Sequence, residues 1–84
     1  MNSTHTKTFD AIFANPVPHS LEWMKIEKML IAIGCDLVEG AGSRVRLRYG
    51  EHLLLVHRPH PAKEAKPYQV RQVRGFLELI GVTP

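Results

Sequence analysis

The apolar residues near the start of the chain repeat with a helical period. They recur at offsets of three, three, one and three as Trp23, Ile26, Met29, Leu30 and Ile33. This spacing places them on one face of a helix, which would turn that face toward a core. The pattern predicts a helix over residues 21–33, with Ser20 as its N-cap and Gly34 as its stop.

The next stretch changes to a period of two, which is typical of strands. Residues 44–49 read RVRLRY and alternate strictly between polar and apolar, as in a half-buried strand. Gly50-Glu51 has glycine first, as a type II′ hairpin turn requires, and His52–His57 form the returning strand. Residues 35–39 make a shorter strand before the loop 40–43. The sequence therefore predicts a three-stranded antiparallel meander.

The two ends of the chain complete the predicted order of elements. A second apolar stripe consists of Val70, Val73, Leu77 and Ile80. It predicts a final helix, separated from the sheet by the prolines of Arg58-Pro59-His60-Pro61. Residues 3–14 predict a short helix that Asn15-Pro16-Val17-Pro18 ends. The prediction is an α+β domain over residues 20–84, with two helices on one face of the sheet, and an N-terminal helical arm over residues 1–19.

Composition says more about the cellular compartment of the protein than about the reaction it carries out. Eleven Lys and Arg oppose eight Asp and Glu, a small excess that by itself indicates only solubility. The single cysteine, Cys35, cannot form a disulfide within the chain, which suits a reducing compartment. No apolar run approaches the roughly 20 residues that cross a membrane, and the N-terminus lacks the apolar core of a signal peptide. We therefore expect a cytoplasmic protein with no membrane partner.

The alternating strand concentrates positive charge on one side of the predicted sheet. Val45, Leu47 and Tyr49 are expected to face the helices, and the other face then carries Arg44, Arg46 and Arg48. Guanidinium groups about 7 Å apart suit the phosphates of a nucleic acid or the carboxylates of an acidic protein. A merely solvated strand face is the alternative.

Two histidines near the prolines are candidates for proton transfer. His57 and His60 bracket Pro59, and imidazole transfers protons near neutral pH. A histidine beside arginines can take the 2′-hydroxyl proton of RNA while the arginines hold the phosphate. The alternative is that either histidine is a polar loop residue bonded to the backbone. Their spacing has no cysteine or acidic pair nearby, so neither a metal site nor a cofactor is expected.

An ordered set of features resembles the HicA toxins of bacterial type II toxin–antitoxin modules. Over residues 21–81 the set comprises Ile33-Gly34 at the end of the first helix, the run from Gly42 to Leu47, the Pro59-His60-Pro61 turn followed by lysines, and Leu79-Ile80-Gly81-Val82. The resemblance implies a fold similar to a double-stranded RNA-binding domain. It also implies a ribonuclease that cuts mRNA without a metal and is neutralised by a HicB-type antitoxin on its active face.

The resemblance also locates one departure from the family pattern. Arg44 stands where the family's catalytic histidine is expected, and arginine cannot act as a general base. We therefore expect His57 or His60 to carry acid–base catalysis, with Arg44 stabilising charge. The residues expected to contact RNA are Ser43, Arg44, Arg46, Arg48, Arg58 and Lys63. A non-catalytic module of the same fold, binding RNA or an acidic protein, is the alternative function.

Overall fold

The computed structural model describes residues 1–84 and contains three helices and one sheet. The elements in chain order are α1 (Ser3–Ile12), α2 (Trp23–Ala32), β1 (Asp36–Glu39), β2 (Arg44–Tyr49), β3 (His52–His57) and α3 (Pro67–Leu79). The predicted α+β fold, with an α–β–β–β–α order behind an N-terminal helix, is confirmed.

The sheet is an antiparallel meander in the order β1-β2-β3. Tyr49 pairs with His52 at the hairpin, so Gly50 and Glu51 form the two-residue turn that the sequence predicts. Gly50 has φ +62°, the positive value that the first position of a type II′ turn requires.

One face of the sheet meets the helices in a single buried cluster of 16 residues. The sheet contributes Val45 and Leu47 from β2 and Leu54 and Val56 from β3. Tyr49, expected on the same face, is exposed at the end of its strand. The opposite face of the sheet carries no helix and is called the open face below.

The N-terminal helix shares this core. Phe9 and Ile12 belong to the same buried cluster as the sheet residues. α1 contacts α2 and α3. Arg74 of α3 donates to the carbonyl oxygens of Ile12 at 2.8 Å and Ala14 at 2.9 Å. The residues expected to form an arm therefore complete the packing of the helical layer.

The predicted N-cap of α2 was wrong. The helix begins at Trp23, and its N-cap is Glu22 in extended conformation. Residues 21–23 pair instead with residues 63–65: the Trp23 amide donates to the Lys63 carbonyl at 3.0 Å and the Ala65 amide to the Leu21 carbonyl at 2.8 Å. This long-range pairing keeps the chain extended beyond Ser20, so the helix starts later than its local signal indicates.

Candidate nucleic-acid interface

Three arginines of β2 lie side by side on the open face. Arg44, Arg46 and Arg48 are all exposed, while Val45 and Leu47 between them are buried. The alternation follows from the two-residue period of a strand with one face against the helices. The middle strand thus presents a row of guanidinium groups on the side away from the core.

The strand register determines which histidine joins this row. Arg44 and His57 are directly opposite each other in the β2–β3 ladder, and His57 is exposed. Directly opposed residues of an antiparallel pair lie on the same face, with Cβ atoms about 4.5–5.5 Å apart. His57 therefore lies on the open face, next to Arg44, a position that the sequence alone left undecided.

A recess on the open face holds this pair. Its volume is about 400 Å³. Arg44, Arg46 and His57 line it together with Leu55 and the loop residues Gly40 and Ala41. Cationic groups and an imidazole are thus gathered in a depression, where a phosphate or a nucleotide can contact several of them at once.

The open face also carries aliphatic side chains, for which the sequence predicts no role in a site. Val38, Leu53 and Leu55 are about half exposed, at 47%, 53% and 57%. The register places Arg46 between Val38 and Leu55. The unbroken LLLV run of β3 is the signal that could have revealed Leu53 and Leu55, since successive residues of a strand point to opposite faces and cannot all reach one core.

Arg48 and Arg58 differ in how firmly acidic groups hold them. Arg48 lies 3.8 Å from Asp36, and both side chains are mostly exposed, so this ion pair is weak and leaves Arg48 accessible. Arg58 donates to Glu27 at 3.0 and 3.2 Å and to Glu39 at 2.9 Å. Hydrogen bonds to Glu39 and Glu27 raise the pKa of Arg58. Its guanidinium is thus occupied within the protein.

The remaining predicted site residues lie elsewhere or take part through the backbone. His60 and Lys63 line a second recess of about 290 Å³, together with Trp23 and Met24 of α2. The backbone amide of Arg58 donates a hydrogen bond to the backbone carbonyl oxygen of Ser43 at 2.8 Å. The structure therefore brings together Arg44, Arg46 and His57 and leaves His60 and Lys63 at a different recess.

The fold and this surface define a class: a small α+β domain whose uncovered sheet face is basic. The family described as HicA toxin of bacterial toxin–antitoxin matches residues 23–82, from the first residue of α2 to just beyond α3. The chain belongs to this family and is a toxin of a toxin–antitoxin pair, which implies an antitoxin partner. No curated protein and no solved structure matches the chain significantly. None of the helices has the length and apolar character needed to span a membrane.

Proposed function

We propose that this toxin is a metal-independent ribonuclease that cuts mRNA in the cytoplasm, with His57 and Arg44 at the reacting phosphate. The observation that carries the proposal is the register pairing of His57 with Arg44 on an exposed basic face. The pair supplies a proton-transfer group and a fixed positive charge within one recess.

The reaction that suits this pair is attack by the RNA's own 2′-hydroxyl. His57 takes the 2′-hydroxyl proton, the 2′ oxygen forms a bond to phosphorus, and the bond from phosphorus to the 5′ oxygen breaks. The leaving 5′ oxygen receives a proton from the imidazolium. The products are a 2′,3′-cyclic phosphate and a 5′-hydroxyl, so no outside reactant is consumed.

The arginines have two separate tasks in this proposal. Arg44 offers its guanidinium fork to the non-bridging oxygens, on which negative charge develops as the 2′ oxygen attacks. Arg46 and Arg48 follow along the strand at intervals of about 7 Å and hold neighbouring phosphates. Arg44 thus acts on the transition state, and the other two bind the substrate.

The antitoxin is proposed to be of the HicB type and to cover the open face. Val38, Leu53 and Leu55 favour a protein on this face, because exposed aliphatic groups beside arginines match a partner with apolar and acidic side chains. Such a partner would compete with RNA for Arg46, which the register places between Val38 and Leu55.

The deciding experiment is RNA cleavage by the purified protein in the presence of EDTA. We expect cleavage that leaves 2′,3′-cyclic phosphate ends. His57→Ala should abolish it, Arg44→Ala should reduce kcat strongly, and His60→Ala, at the other recess, should retain it. Induced expression should stop growth for the wild type and for His60→Ala but not for His57→Ala. Intact RNA after long incubation, with salt-sensitive binding, would instead select the non-catalytic RNA-binding module.

A further inference from the structure

We infer that Glu27 of α2 is a positioning residue, which acts through Arg58 to hold His57 against Arg44. The inference rests on the proposed ribonuclease function. It gives Arg58, expected from the sequence to contact RNA, a role in linking α2 and β1 to the end of β3.

Glu27 is a carboxylate in the core of the domain. It is only 1% exposed, and one of its oxygens, Oε1, accepts from Arg58 Nε at 3.2 Å and from an Arg58 terminal nitrogen at 3.0 Å. A buried charge is costly unless it is paired and hydrogen-bonded, so Glu27 ties the Arg58 side chain to the helical layer. The same terminal nitrogen donates to Glu39 at 2.9 Å and thereby ties Arg58 to β1 as well.

The backbone of Arg58 continues the ladder beside the proposed catalytic pair. Its amide donates to the Ser43 carbonyl at 2.8 Å. Ser43 precedes Arg44, and Arg58 follows His57, so this hydrogen bond lies one residue beyond the pair. Anchoring the Arg58 side chain therefore restrains the end of β3 against the start of β2, where Arg44 and His57 are paired.

A second buried residue holds His57 from the other side. Gln69 of α3 is 2% exposed, and its Nε2 donates to the His57 carbonyl at 2.9 Å. Its Oε1 accepts the Lys66 amide at 2.9 Å, which fixes the orientation of the side-chain amide. The backbone at His57 is thus fixed from α3 by Gln69 and from α2 and β1 through Arg58.

The hydrogen bonds that fix the backbone at His57 should affect catalysis but not substrate binding. A displacement of about 1 Å at a reacting group can cost on the order of 10²-fold in rate. Arg46 and Arg48, which hold the substrate in the proposal, share no hydrogen bond or ion pair with Glu27 or Arg58. Loosening the Glu27–Arg58 pair should therefore lower kcat and leave KM unchanged.

The test uses Glu27→Gln in the full chain, because glutamine keeps the shape and one acceptor oxygen. We expect kcat for RNA cleavage to fall about 10- to 100-fold with KM within twofold of the wild type. Glu78→Gln, an exposed change of the same type on α3, should leave both constants unchanged. Two results would overturn the inference. One is a fall in kcat accompanied by a rise in KM of similar size, and the other is no change in either constant.

A second readout does not require cleavage. In NMR spectra, Glu27→Gln should shift the imidazole signals of His57 while those of His5 and His19 stay in place. If the wild type fails to cleave RNA, the proposed function fails, and the His57 shift still tests the coupling to Glu27. If the wild type cleaves but folded Glu27→Gln retains its kcat and its His57 signals, only the positioning role is refuted.

Discussion

Arg44 and His57 face each other across β2 and β3 on the exposed side of the sheet. In the proposed function, His57 supplies from β3 the imidazole that the resemblance to HicA toxins places at position 44. Either position can serve the same recess, since directly opposed Cβ atoms lie within about 5.5 Å of each other. The exchange can be tested directly.

The first prediction is that the imidazole can be returned to β2. His57→Ala should be inactive, and adding Arg44→His to it should restore part of the RNA cleavage, because the new side chain lines the same recess. The measurement is the cleavage rate of the double variant against His57→Ala alone. As a control, Arg46→His in the His57→Ala background should restore less. Equal rates for all three variants would contradict a shared position for the two side chains.

The second prediction concerns how RNA binding depends on salt. Arg46→Ala should reduce the magnitude of the slope of log K against log salt by about 0.7, the share of one phosphate on a single strand. The measurement is the RNA binding constant at several salt concentrations, with each substitution made in a catalytically inactive variant. Lys7→Ala on α1 removes the same charge away from the sheet and should leave the slope unchanged. Lys63→Ala shows whether RNA also reaches the second recess. If Arg46→Ala keeps the wild-type slope, then the sheet face is not the surface that contacts the phosphates.

The third prediction concerns the N-terminal helix. Ile12 is fully buried, so Ile12→Ala should lower the free energy of unfolding by about 2–5 kcal/mol. Urea unfolding should remain a single transition, because α1 shares the core of the sheet domain. Lys7→Ala, exposed on the same helix, should change the free energy by less than about 0.5 kcal/mol. If Ile12→Ala also changed the free energy of unfolding by less than about 0.5 kcal/mol, α1 would not contribute to the stability of the core.

The fourth prediction compares two glycines at which substitution by alanine should change stability in opposite directions. Gly50 has φ +62°, so Gly50→Ala should destabilise the protein by about 1–2 kcal/mol. Gly75 is exposed within α3, and a Cβ added there meets no atom within 4 Å. Gly75→Ala should therefore stabilise by roughly 0.4–1 kcal/mol. Opposite shifts of the urea midpoint would confirm both, and shifts in the same direction would contradict the assigned conformations.

The fifth prediction is a loss of stability in alkali. Burial, and to a lesser extent the charge of Asp36, raises the pKa of Cys35 from 9.0 to about 11. Between these values the unfolded chain releases the thiol proton while the folded chain keeps it, so stability falls as pH rises. The contribution is at most roughly 3 kcal/mol. The loss of unfolding free energy between pH 8.5 and 10.5 should be smaller in Cys35→Ala than in the wild type. Parallel losses would show that Cys35 titrates normally.

Local patterns in the sequence determined the elements and their order. The RVRLRY alternation defined β2 and its two faces, because a strand directs successive side chains to opposite sides. The Gly50-Glu51 pair defined the hairpin, and the apolar stripes defined α2 and α3. The family could also be identified from the ordered set of local features, since each lies within a few residues.

Only the tertiary structure decided which distant residues meet. The face of His57 depends on the register with β2, and the partners of Arg58 lie 31 and 19 residues away on α2 and β1. Pairing with residues 63–65 likewise moved the start of α2 from its local signal to Trp23. These contacts arise when the sheet and helices pack around one core, and no local period encodes them. The sequence therefore identified the basic face, whereas packing decided that His57 joins it and that Glu27 and Glu39 bind the Arg58 side chain.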